Sequence, residues 1–203
     1  MSKKQATLLK IAGLCGIIGP LIALSFTAMA ISHSLSWFSW TDNALSDLAG
    51  PHATITSASI FNSGLITCGL LGITFAVGLM QTLRKRTPAL IGVIVLILAD
   101  ISLVAIGVFP ETAGRIHFYV SVAFFTLFPI SLLLIGASMA MNPHQRTLGL
   151  QTIMLAVFAV ASVAPLVLAD VADVGMHELL ASLSGSAWSI LLGIKLYKQT
   201  ILS

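Results

Sequence analysis

Six runs of apolar residues, at 8–31, 57–83, 89–109, 117–141, 148–169 and 177–197, divide the chain. Each approaches or exceeds the roughly 20 residues that a helix needs to cross the hydrocarbon core of a bilayer. The links between them are short except the first, which covers 33–56. Within that link, the passage from Trp40 to Gly50 is the longest polar stretch of the sequence. It ends in Gly50-Pro51, a helix stop, because glycine accepts the left-handed position past a helix end and proline brings no N–H to continue the ladder. The pattern predicts a short helix over 42–49 lying on the membrane surface, with Trp37 and Trp40 at headgroup level. A solvated connecting loop is the competing reading.

Small residues punctuate the runs: Gly13, Gly16 and Gly19 in the first, and Gly64, Gly69, Gly72 and Gly78 in the second. Membrane helices approach one another through such residues, so tight packing is expected here. Pro20, Pro129 and Pro165 fall inside runs and are expected to bend them. Ala28-Met-Ala30 resembles a signal cleavage site, but the first run exceeds the about 7–15 apolar residues of a signal segment, which predicts a retained helix.

Composition sharpens the class. Of 203 residues, 57% are hydrophobic and 8% charged, and the mean hydropathy is +1.02. A soluble domain carries about 25% charged residues. The expected fold is therefore all-α, an integral membrane six-helix bundle forming one domain over 1–203. Its setting would be the cell membrane, crossed several times, and its expected partners are membrane lipids, with a second copy of the chain also admitted. The net charge of +3 does not imply a nucleic-acid partner, because the basic residues cluster beside apolar runs. Lys3, Lys4, Lys10, Arg84, Lys85, Arg86, Arg146, Lys195 and Lys198 share one side of the predicted bundle. Only Arg115 falls on the other, whereas Asp42, Asp47, Glu111, Asp170, Asp173 and Glu178 all do. The positive-inside rule then places both termini in the cytoplasm. Cys15 and Cys68 lie within apolar runs and read as small core residues, with no disulfide or metal motif.

Candidate chemistry centres on Asp100, nine residues from Phe109 and so about 13 Å deep along a helix. An ionised Asp at a helix centre costs about 2.5–3.5 kcal/mol on insertion scales, so it must be paired, wetted or protonated. A protonated Asp bonded to a neighbouring helix remains the structural alternative to a functional site. Asn62, one and a half turns into the second run, is a candidate neighbour. Asp42, Asp47, Glu111, His117, His177 and Glu178 gather at the outer rim, where His52 also falls. His117, His177 and Glu178 could supply imidazole and carboxylate to a metal, although no H-x-x-x-H spacing supports it. Haem ligation needs two His at matched depth, and no His lies deep in a run. No phosphate-cradling glycine loop, nucleophile elbow or Cys–His pair appears.

Three stretches carry a family resemblance: Asn43 to Ala49, then Phe61 to Leu65, then Gly107 to Glu111 with His117 six residues on. In order and spacing they resemble the domain-of-unknown-function family 998 (DUF998), six-helix prokaryotic membrane proteins, over nearly the whole chain. Leu45 stands for the usual Ile, and Ala49 for the usual Gly, which Gly50 supplies one place later. The layout is remotely similar to DRAM/Sfk/FRAG-type membrane proteins, linked to lipid remodelling. The family resemblance implies a site at Asn43, Ser46, Asp47, Asn62, Glu111 and His117, and burial adds Asp100. Three functions stay open: lipid handling or small-ligand binding through an outward-facing polar cavity, a membrane hydrolase or transferase, and a structural subunit.

Overall fold

The structure is a computed structural model that describes residues 2–83, 86–168 and 173–198. Arg84, Lys85 and Asp170, counted above among the charges that flank the runs, lie outside the described residues. The described residues are all-helical in their regular structure, and among them are six helices long and apolar enough to cross a membrane. They are α1 (Lys3–Ser32), α2 (Ile55–Leu83), α3 (Thr87–Val108), α4 (Arg115–Ala140), α5 (Arg146–Leu168) and α6 (Val174–Tyr197). Several start ahead of the apolar runs because polar caps extend them. Ser2 Oγ accepts from Gln5 N at 3.2 Å at the head of α1, and Thr54 Oγ1 accepts from Ser57 N at 3.1 Å at the head of α2. Such caps satisfy the orphan donors of a first turn. α4 starts behind Gly114, whose φ of 63° and ψ of −121° suit glycine alone. Pro20, Pro129 and Pro165 sit inside α1, α4 and α5 without ending them.

Each helix packs on its neighbours in the chain, and α6 returns to pack on α1, closing a ring. Glycine sets the closest approach at that closure. A Cβ on Gly13 of α1 would lie 2.7 Å from the Gly193 carbonyl of α6, so neither position has room for a side chain. Large apolar side chains such as Ile11, Ile18, Ile94 and Val157 point outward, toward the hydrocarbon a spanning bundle meets.

The two ends of the ring differ. At the end carrying the termini, Leu9, Phe75, Leu79, Leu96, Leu132 and Trp188, with their neighbours, form a dry core drawn from all six helices. At the other end, Ala30, Leu45, Leu48, Ala49 and Phe61 form a separate cluster, with Trp37, Phe38 and Trp40 packed against it. That cluster is a cap built by the link between α1 and α2.

The cap differs from the surface helix expected over 42–49. Its only helical part is a 3₁₀ turn, Leu45–Ala49. The backbone before it is committed elsewhere. Ser39 N donates to Asn43 Oδ1 at 2.9 Å, Gly175 N of α6 donates to the Asn43 carbonyl at 2.9 Å, and Leu45 N donates to Glu178 Oε2 at 2.7 Å. Side-chain and tertiary partners thus outcompete an α-helical ladder. Gly50 also departs from expectation. Its φ of −87° and ψ of −170° are extended, not left-handed. The position is tight instead, because a Cβ there would meet the Glu111 carboxylate and lie 3.2 Å from the Asp47 backbone.

Candidate functional site

Between the dry core and the cap the ring is hollow. A cavity of about 160 Å³ lies there, with lining residues from all six helices. That is roughly ten times the volume needed to admit one water molecule. Its walls are largely apolar, with Leu65, Leu103, Ile106, Phe124 and Phe128 among them. The cavity expected from the sequence was polar, whereas this one is largely apolar, with carboxyl and imidazole groups toward its ends and the serines Ser121, Ser182 and Ser186 along its walls. Six helices in a closed ring cannot all meet at its axis, so the axis stays open wherever no large side chain fills it. Phe75 and Trp188 fill it toward the termini, ring against ring at 5.8 Å.

Asp100 lies at the inner end of the cavity, 6% exposed. Its α2 neighbour is Gly72, where a Cβ would lie 2.6 Å from Asp100 Oδ1. The absent side chain therefore makes room for the carboxyl. Asp100 Oδ2 is buried without a hydrogen-bond partner. The pairing of Asp100 with Asn62 is not formed. Asn62 lies beside Gly107, with its backbone carbonyl 2.7 Å from where that Cβ would be. Gly107 is seven residues, about 10 Å of helix rise, from Asp100. Asn62 also does not line the cavity.

At the capped end, Ser46, His117 and Glu178 line the mouth. His117 is 9% exposed, and its Nδ1 lies 2.8 Å from the Phe109 carbonyl. A carbonyl only accepts, so Nδ1 carries the hydrogen and the ring is fixed by that bond. Glu178 fastens the cap to α6 through Leu45 N. Asn43 and Asp47 sit just behind the mouth. Asp47 Oδ2 accepts from Asn43 Nδ2 at 2.9 Å and from Ala44 N at 3.0 Å, the returning half of a capping box. Glu111, on the turn Glu111–Ala113 after α3, meets Asp47 from the other side. Burial pushes the Glu111 carboxyl up to about 7, helped by its hydrogen bond to Asp47 and by the charge of Asp47. The Glu111 carboxyl therefore keeps its proton to higher pH than a solvated glutamate does.

The metal set of His117, His177 and Glu178 is not assembled. Among the described residues, no three His, Cys, Asp or Glu side chains group closely enough to hold an ion. His177 is turned to α5, with Nδ1 2.7 Å from the Ser162 carbonyl and Nε2 3.4 Å from Asp173 Oδ1.

Two residues that matter were not singled out in the sequence. Ser57 of α2, fully buried, holds the cap through Ser34 Oγ at 3.0 Å and the Leu48 carbonyl at 3.0 Å, and reaches the Ala30 carbonyl of α1 at 3.3 Å. Trp188 stands at the cavity floor, 1% exposed. Its depth was the available signal, since tryptophan in membrane helices favours the interfaces.

The sequence model of the family described as "Protein of unknown function (DUF998)" matches residues 17–195. The chain therefore belongs to that family. Searches of curated proteins and of solved structures returned no match.

Proposed function

We propose that this DUF998 protein, a multi-pass integral membrane protein, binds a lipid-like amphiphile in the cavity enclosed by its six helices. The observation that carries this reading is the cavity itself: elongated, largely apolar along its walls, and bearing carboxyl groups near both ends. Its lining on α1 runs from Cys15 to Thr27, about 18 Å of helix. A slender apolar chain matches such walls, because apolar side chains surround it much as lipid tails do. The cap, with Ser46, His117 and Glu178, would meet the more polar part of the molecule.

The same reading places the protein in the cell membrane with the cap outside the cytoplasm. Lys3, Lys4, Lys10, Arg86, Arg146, Lys195 and Lys198 flank the end opposite the cap, and such residues favour the cytoplasmic side.

The test is mass spectrometry of the purified protein and of Ser182→Phe. Ser182 lines the cavity on α6, and the larger ring would fill it. Wild-type protein is expected to retain a lipid-like molecule that Ser182→Phe loses while staying folded. Equal retention by both, or none by either, would overturn the reading.

A further inference from the structure

The inner end of the cavity holds two polar groups that the fold leaves without a partner. One is Asp100 Oδ2 and the other is the indole N–H of Trp188. Both side chains are more than nine-tenths buried, and both line the cavity. They also stand at neighbouring depths. Gly72 of α2 abuts the Asp100 carboxyl, and Phe75, three residues on, packs against the Trp188 ring. Three residues correspond to about 4.5 Å of rise. Phe128 meets the same indole ring edge-on at 6.1 Å, so two apolar rings pack on the indole and its N–H has no acceptor.

A buried donor or acceptor left unmade is destabilising by about 1–3 kcal/mol, and here one of each lies at the end of an apolar cavity. We infer that the inner end of the cavity is a binding site for the hydroxyl group of a long-chain alcohol, seated between Asp100 and Trp188. The inference rests on the amphiphile reading and names the chemistry of the end that enters first. A hydroxyl accepts one hydrogen bond and donates another, so it answers the indole N–H and the carboxyl together. An ammonium group has no lone pair for Trp188. A carboxylate would bring a second acid to Asp100 and a charge to the middle of the bilayer. An alkane leaves both groups unmet. The remaining chain would run along Leu103, Ile106 and Leu65 toward the mouth at Ser46.

The test uses full-length protein in phospholipid nanodiscs and four radiolabelled probes of equal chain length: dodecan-1-ol, dodecane, dodecanoic acid and dodecylamine. Uptake by empty nanodiscs is subtracted. The alcohol is expected to bind about 10- to 30-fold more tightly than the alkane, as two added hydrogen bonds imply. Trp188→Phe keeps the ring and removes the N–H. It should cut the alcohol-to-alkane ratio about fivefold while alkane binding stays unchanged. Asp100→Leu should cut the same ratio and serves as the second variant if Trp188→Phe does not fold. Equal binding of alcohol and alkane would leave the cavity reading standing and overturn the hydroxyl assignment. Tightest binding by the acid or the amine would also overturn it. Failure of all four probes to bind would overturn both readings.

Discussion

Ser57 fastens the cap, and removing its hydroxyl should release the cap without unfolding the bundle. Leu48 sits in the 3₁₀ turn, where its carbonyl would ordinarily accept from the residue three places on. That residue is Pro51, which has no N–H. Ser57 Oγ supplies the missing hydrogen, 3.0 Å from the Leu48 carbonyl. It also accepts from Ser34 Oγ at 3.0 Å, with the Ala30 carbonyl a longer contact at 3.3 Å. Ser57→Ala removes two hydrogen bonds of about 1 kcal/mol each and orphans a buried carbonyl. The free energy of opening the cap should fall by about 2–3 kcal/mol, given that part of the loss is recovered by water entering from the mouth. Hydrogen exchange measures this locally, since each 1.36 kcal/mol is about tenfold in rate. Amides in Leu45–Ala49 should exchange about 30- to 150-fold faster in Ser57→Ala, while those of α3 and α4 stay unchanged. Ser59→Ala, at an exposed position on the opposite face of α2, should leave all rates within about threefold. Unchanged exchange in the cap of Ser57→Ala, or a uniform rise across all six helices, would refute the reasoning.

The acid pair behind the mouth predicts a pH dependence. Glu111 has its pKa raised from 4.5 to about 7, so the native state binds its proton more tightly than the unfolded chain does. Its contribution is therefore lost as pH rises from about 4.5 to about 7, because burial, and then the neighbouring Asp47, disfavour the ionised form. Glu111→Gln keeps a donor for Asp47 at every pH and should raise stability above pH 7 by about 1 kcal/mol after allowance for solvent screening, with no gain at pH 4. A variant whose gain is the same at both pH values would contradict this. Topology is checked by a reporter active only in the cytoplasm, fused to the C-terminus. It should be active there, and a signal from the opposite side would reverse the orientation proposed from the basic residues.

The six apolar runs and their lengths were decisive for the architecture, because every backbone polar group in a bilayer must be satisfied within a helix or a closed barrel. The same logic made Asp100 stand out, since an acid in a span cannot face lipid cheaply. Glycine positions such as Gly13 announced close packing but not its partner, which proved to be Gly193 of α6. What the sequence could not settle was which polar groups meet. Asn62 and Asp100 share adjacent helices, yet the register of α2 on α3 sets Asn62 beside Gly107 and Gly72 beside Asp100. Register depends on how side chains of two helices interlock, which no single run of residues encodes. The cap fails as an α-helix for a similar reason. Its donors and acceptors are captured by Glu178 and Gly175, more than 120 residues away. The cavity belongs wholly to tertiary structure: it is the space left when six helices close a ring and only one end of that ring is filled by Phe75 and Trp188.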